Sequence, residues 1–166
     1  MGGCGTPDGA GVVALRKQVE QMFFGQFYHN IDEKGRLTIP ARYRDILAAE
    51  GAYLMRGFDQ NLMVFPASTF ESISHRVDQM SLTDPRTRLL RRLVFSTASQ
   101  IEIDKAGRIL LPQFLRQSCH LDSNAVVAGV GKFFEIWSPE RWAGQDEQLQ
   151  DDSLAHRFAD LMLTSD

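Results

Sequence analysis

The chain is poor in cysteine. Cys4 and Cys119 are the two it has, they lie far apart, and no C-x-x-C occurs. A disulfide framework or a zinc site is therefore not expected, and a reducing compartment fits best. No apolar run approaches the ~18 residues that a membrane span needs. The first eleven residues hold five glycines, Pro7 and Asp8, without the basic start and sustained apolar stretch of a secretory signal. These absences make the cytoplasm the expected location, with no membrane partner. An excess of positive charge is missing too. The formal net charge is −3, so any affinity for nucleic acid has to come from local charge. The marks of catalysis are absent as well. There is no G-x-S-x-G, P-loop or G-x-G-x-x-G, and His29, His75, His120 and His156 are scattered without ligand spacing. Cys119 stands beside His120, but neighbours in sequence do not make catalytic geometry, and a small buried cysteine is the better reading. No enzyme, cofactor, metal site or small-molecule substrate is expected.

What is present is an ordinary globular composition, 43% hydrophobic and 23% charged over 166 residues, with its charge unevenly placed. Residues 140–166 hold seven acidic side chains against Arg141 and Arg157, whereas Lys34, Arg36, Arg42 and Arg44 crowd into 34–44. That basic segment belongs to an internal repeat. Ile31-Asp-Glu-Lys-Gly-Arg-Leu-Thr-Ile-Pro40 returns 72 positions later as Ile103-Asp-Lys-Ala-Gly-Arg-Ile-Leu-Leu-Pro112. Five of ten positions are identical, and the shared pattern is D-x-x-G-R-h-x-h-P, where h is aliphatic. The same offset pairs Arg44 with Arg116, Gly57 with Gly129, Val64 with Ile136, Phe65 with Trp137 and Phe70 with Trp142. Two copies are too few for a solenoid and point to a duplicated unit whose copies pack on each other.

Each copy reads as strand, turn, strand, short helix and two further strands. In the first copy the aromatic-rich 23–31 is a strand, Asp32–Gly35 a tight turn, and 36–39 a second strand. Pro40 opens a helix over 41–49, and 52–58 and 61–65 are strands. Helical spacing then predicts helices over 69–80 and 86–96. The second copy repeats the order, with strands at 99–103 and 108–111, a helix at 112–119, and strands at 124–130 and 133–137. Acidic amphipathic helices at 140–150 and 153–163 close the chain. Residues 1–11 read as disordered and Val12–Gln21 as a short helix that nothing in the repeat matches. Met22 is an alternative start, which puts 1–21 outside the repeat as an N-terminal extension. The domain units are then 26–68 and 97–140, joined by a helical connector at 69–96 and followed by the acidic helices at 141–166.

The turns are the strongest functional candidates. Arg36 and Arg108 can fork onto phosphates or a guanine edge, while Asp32 and Asp104 hold the turn geometry. The competing reading is a structural Asp–Arg pair closing each hairpin. A single copy would favour it, because surface charge pairs are common and weak. Retention of both ends of the motif in two copies shifts the balance toward function. Gly35 and Gly107 supply the positive φ of the turns. Arg44 and Arg116 can track a phosphate backbone, or simply solvate a helix face. Arg86, Arg88, Arg91 and Arg92 look like a basic helix, but the leucines between them favour a packing helix with snorkelling arginines.

These residues also carry a resemblance. Met22-Phe-Phe-Gly-Gln-Phe, followed by Asn30-Ile-Asp-Glu-Lys-Gly-Arg-Leu-Thr-Ile-Pro-Ala-Arg-Tyr-Arg44, is similar to the start of the MraZ family of bacterial regulators, built of two SpoVT/AbrB-type units. The paired Asp32…Arg36 and Asp104…Arg108 motifs match that family, and the resemblance runs from Met22 to about Leu163. It implies an α+β, mainly β fold, in which tandem swapped-hairpin units form one pseudo-symmetric β-barrel module with flanking helices. It implies ring-shaped homo-oligomers. It implies sequence-specific binding to short repeated promoter sites ahead of the chain's own division and cell-wall operon, usually as a nucleoid-associated repressor. The partners would be double-stranded promoter DNA and other copies of the chain. Arg36 and Arg108 would contact DNA, with Lys34, Lys105 and Arg44 as supporting phosphate contacts. Asp32, Asp104, Gly35 and Gly107 would shape the turns. Ala106 replaces the first turn's Lys34, so the two turns would not contribute equally. A reading from another class is a protein-interaction scaffold or antitoxin-like subunit that works through the acidic C-terminal helices.

Overall fold

The computed structural model describes residues 9–161. Helix α1 (Gly9–Glu20) comes first and buries none of its residues. It starts three residues before the expected helix, so Gly9–Gly11 are helical where disorder was expected, and residues 1–8 lie outside the described residues. The first copy follows as β1 (Gln26–Asn30), β2 (Arg36–Thr38), α2 (Ala41–Glu50), β3 (Ala52–Arg56) and β4 (Leu62–Pro66). Helices α3 (Ala67–Asp78) and α4 (Pro85–Thr97) lead to the second copy. It runs β5 (Ser99–Ile101), β6 (Arg108–Leu110), α5 (Gln113–Ser118), β7 (Asn124–Gly129) and β8 (Phe134–Trp137). Helices α6 (Pro139–Leu149) and α7 (Leu154–Arg157) close the described chain.

The fold is α+β with antiparallel strands, but helical residues outnumber strand residues, so "mainly β" describes the central module alone. Helix α7 ends at Arg157, well short of the 153–163 helix expected from its pattern, whose last two residues lie outside the described residues. It buries none of its residues, and an isolated short helix lacks the packing that would sustain it.

Six strands form one sheet in the order β1-β7-β8-β4-β3-β5, and β2 pairs with β6 in a separate two-stranded ribbon. The copies exchange strands. β1 of the first lies against β7 of the second, and β5 of the second lies against β3 of the first. The central pair β4–β8 and the ribbon β2–β6 each join one copy to the other. The six-stranded sheet does not close on itself, because β1 and β5 stand at its two ends. The ribbon covers the core from one side. Leu37 and Ile109 from its inner face enter the core that holds Leu62, Val64, Phe134 and Ile136 from the centre of the sheet. On the sheet's outer face Met55, Met63 and Phe65 pack with Phe70, Val77 and Val94 from α3 and α4, and Val126, Ala128 and Trp137 pack with Trp142 of α6.

The offset between copies is not uniform. On β3, Ala52 and Leu54 face the main core, opposite Ile101 and Ser99. The residues of β7 that do the same are Ala125 and Val127, opposite His29 and Phe27. The local offset is therefore 73, one more than elsewhere. The β3–β4 connection spans 57–61, whereas the β7–β8 connection spans 130–133 and is one residue shorter, which restores 72 at β8. A one-residue slip reverses the face of every side chain on a strand, so burial of Val127 enforces the compensation. The pairing of Gly57 with Gly129 expected from a gapless repeat is corrected accordingly. Gly57 lies in a loop and donates its N–H to Asn61 O at 2.7 Å, whereas Gly129 ends β7 and donates to Gly25 O at 2.8 Å.

Candidate nucleic-acid interface

The two repeat turns form by the same local chemistry. In the first, the Asp32 backbone N–H donates to Arg36 O at 3.0 Å and the Gly35 N–H to Asp32 O at 2.9 Å. Asp32 Oδ1 accepts the N–H groups of Lys34 at 3.0 Å and Arg36 at 2.8 Å, and Oδ2 accepts Arg36 Nε–H at 2.7 Å. In the second, Asp104 Oδ1 accepts the N–H groups of Ala106 and Arg108, each at 2.9 Å, and Oδ2 accepts Arg108 Nε–H at 2.9 Å. One carboxylate thus ties the turn and aims the arginine at its end. The backbone N–H of Arg36 or Arg108, ahead of the guanidinium itself, holds each aspartate below the ordinary carboxyl value, because these bonds favour the ionised form.

The ribbon brings the two turns together. Its register sets Arg36 opposite Leu110, Leu37 opposite Ile109 and Thr38 opposite Arg108. Each turn glycine also closes the ladder of the other copy, since Ile39 N–H donates to Gly107 O and Leu111 N–H to Gly35 O, both at 2.9 Å. Arg108 Nη1 lies 3.6 Å from Asp32 Oδ2, so Asp32 touches both arginines. No matching Arg36–Asp104 pair occurs among the described residues. Arg36 and Arg108 keep about a third of their side-chain surface exposed, 31% and 30%. Their Nε–H groups are committed to carboxylates, which leaves the outer edge of each guanidinium to meet an acidic group. Lys34 and Lys105 are exposed within the turns.

Arg44 does something the sequence does not suggest. It is half-buried, donates Nε–H to Ile39 O at 2.6 Å, and its guanidinium lies against Gly107 of the opposite turn. Arg116 mirrors it, with Nε–H donated to Leu111 O at 3.0 Å and its guanidinium against Gly35. Both glycines are buried and have positive φ, 83° at Gly35 and 78° at Gly107. A Cβ on Gly35 would stand 2.8 Å from Arg116 Cζ. The motif therefore needs glycine twice over, for backbone conformation and for room under an arginine from the other copy. Arg116 belongs with Arg44 in any account of the site, and the repeat offset was the signal that pointed to it.

Six cations gather here: Lys34, Arg36, Arg44, Lys105, Arg108 and Arg116. Within the turns themselves, Asp32, Glu33, Lys34 and Arg36 cancel, whereas Asp104, Lys105 and Arg108 leave one positive charge. The second turn is the more basic of the two, although Ala106 stands where the first has Lys34. Three of the four arginines of α4 are engaged elsewhere. Arg86 pairs with Asp84, Arg91 pairs with Asp78, and Arg88 donates to the carbonyls of Leu82 and Thr83. Cys119 is buried in the main core with its thiol pKa raised by burial, and His120 beside it is exposed. Among the described residues no group of acidic, histidine and cysteine side chains can hold a metal ion, and no helix is long and apolar enough to cross a membrane.

Comparison with known proteins agrees with this duplicated architecture. A family model described as "MraZ protein, putative antitoxin-like" matches twice in tandem, at residues 22–93 and 94–164. A protein of Thermomicrobium roseum named transcriptional regulator MraZ is 45% identical over 143 residues, 85% of this chain and all of that protein. Proteins of the same name are 48% identical in Roseiflexus castenholzii, over 73% of this chain and 84% of that one, and 39% identical in Finegoldia magna, over 86% and 100%. With two tandem matches that span its duplicated, strand-exchanged body, the chain belongs to the MraZ family.

Proposed function

We propose that the chain is a sequence-specific transcriptional regulator that binds double-stranded promoter DNA through the β2–β6 ribbon and its two Gly-Arg turns. The observation that carries this reading is the pairing of β2 with β6, which sets Arg36 and Arg108 diagonally across one face of the ribbon, each aimed by an aspartate. A two-stranded antiparallel ribbon has the size to enter the major groove, where arginine forks onto guanine O6 and N7. The name that the relatives carry, transcriptional regulator, supports the same reading. Lys34 and Lys105 supply phosphate contacts from the turn tips. Arg44 and Arg116 act chiefly as supports beneath the opposite turn, with the outer edges of their guanidiniums near the same surface.

The finer form of the proposal follows the family resemblance. Copies assemble into a ring through a pseudo-symmetric barrel-like module, and the ring represses the chain's own division and cell-wall operon from short repeated sites on the nucleoid. One ribbon offers few cations, and few phosphate contacts bind weakly at physiological salt. A ring presents the patch several times over, and tethered contacts add through effective concentration. The acidic stretch after residue 140 would disfavour DNA on its own face. The description "antitoxin-like" favours a second reading, in which α6 and α7 hold a protein partner.

A gel-retardation titration of the duplex upstream of the chain's own gene tests the first reading. Each good bidentate arginine is worth ~1–3 kcal/mol, so Arg36→Ala with Arg108→Ala should weaken binding roughly 30-fold or more, with unchanged particle mass. Unaltered retention by the double variant would overturn the proposal. Under the second reading, deleting residues 140–166 loses a partner and DNA affinity barely responds to salt.

A further inference from the structure

The ribbon has an outward file of four side chains. Arg36 and Thr38 come from β2, and Arg108 and Leu110 come from β6, with Arg36 opposite Leu110 and Thr38 opposite Arg108. Leu37 and Ile109 between them are fully buried, so alternation puts the four on the opposite face. Leu110 is 56% exposed, while Ile109 and Leu111 on either side are at 0%. A single exposed leucine carries no message by itself. Its place here does, because it stands cross-strand from one arginine, and its repeat partner Thr38 stands cross-strand from the other. Opposed side chains on such a ribbon lie ~5 Å apart, within reach of the same or adjacent base pairs.

We infer that Leu110 and Thr38 are specificity-determining residues, with Leu110 packing on the C5-methyl of a thymine in the major groove. This rests on the reading that the ribbon enters duplex DNA. The methyl of thymine is the apolar feature of the major-groove edge, and an aliphatic side chain is the complement to it. An arginine forked on a guanine fixes the depth and register of the ribbon, so the leucine two strand positions along β6 from Arg108 meets a defined neighbouring base. Thr38 offers a methyl and a hydroxyl at the symmetric position, and it therefore reads its base differently. The two halves of the ribbon are alike in their arginines and unlike in these partners, so the module distinguishes the two base pairs that its pseudo-symmetry would otherwise treat alike.

The experiment uses the full chain and the duplex upstream of its own gene. Each thymine in turn is replaced by uracil, which removes the C5-methyl and nothing else. Burial of one methyl is worth ~0.8 kcal/mol, so at one thymine position the wild type should lose about fourfold in affinity. Leu110→Ala should bind the thymine and uracil duplexes equally at that position, and Leu110→Ile should restore the difference. An equal thermal midpoint for Leu110→Ala shows that the fold is intact, as its exposure requires. A wild type indifferent to every thymine methyl, or a Leu110→Ala variant that keeps the full discrimination, overturns the inference and leaves the proposed DNA binding standing. Failure of the wild type to retain the duplex at all overturns both.

Discussion

Gly35→Ala is the sharpest test of how the two copies lock together. Alanine at a φ of 83° costs ~1–2 kcal/mol, because its Cβ crowds the following carbonyl. The same Cβ would stand 2.8 Å from Arg116 Cζ and Nε, so the guanidinium has to move and its bond to Leu111 O is lost. That adds ~0.5–1.5 kcal/mol. Alanine returns ~0.4–1 kcal/mol by restricting the unfolded chain. The net loss is roughly 0.5–3 kcal/mol. Arg116→Ala supplies the reference, because it removes the guanidinium that the new Cβ would meet. Urea unfolding at equal protein concentration would measure Gly35→Ala in both backgrounds. Its cost should fall by about 1 kcal/mol when residue 116 is already alanine, a coupling that a double-mutant cycle detects. A cost that is the same with and without Arg116 would refute the claim that an arginine of the second copy rests on the first copy's turn.

Further outcomes follow from the same geometry. Leu37→Ala and Ile109→Ala, both fully buried under the ribbon, should each cost ~2–5 kcal/mol in thermal or urea unfolding, whereas Leu110→Ala between two buried neighbours should change stability by less than ~0.5 kcal/mol. Asp32 and Asp104 have depressed carboxyl values, so their stabilisation is complete above the ordinary 3.8 and is lost as pH falls through the lower, native values. Carboxyl-carbon NMR should therefore show both aspartates more than half ionised at pH 3.8, and a pair titrating at or above 3.8 would contradict the turn geometry. A chain beginning at Met22 should unfold at the same urea midpoint as the full chain, because α1 buries none of its residues.

Much of the site was legible in the residue pattern because the bonds that build it are local. Asp32 and Asp104 bind groups two and four residues ahead, so the spacing of Asp, Gly and Arg already contains the turn. Most element positions followed for the same reason, from alternation, helical spacing and the proline at the start of each of helices α2 to α6. Helix α7 was overestimated because periodicity continues in a segment with nothing to pack against. The slip in β7 escaped a gapless alignment because it is compensated within the same hairpin, and only the burial of Ala125 and Val127 exposes it.

The order of residues already specifies that there are two copies, what each turn is made of, and where charge concentrates. These are properties of short windows, and a repeated window says so twice. Tertiary structure alone decided that the copies trade strands, that β2 and β6 form one ribbon, that Asp32 reaches Arg108, and that Arg44 and Arg116 each brace the other copy's glycine. Those contacts join residues from 45 to 102 positions apart, and nothing in a local pattern ranks one long-range pairing above another. The choice is made by the core. Leu37, Ile109, Leu54, Val127 and their neighbours can all be buried at once only in this strand order and register.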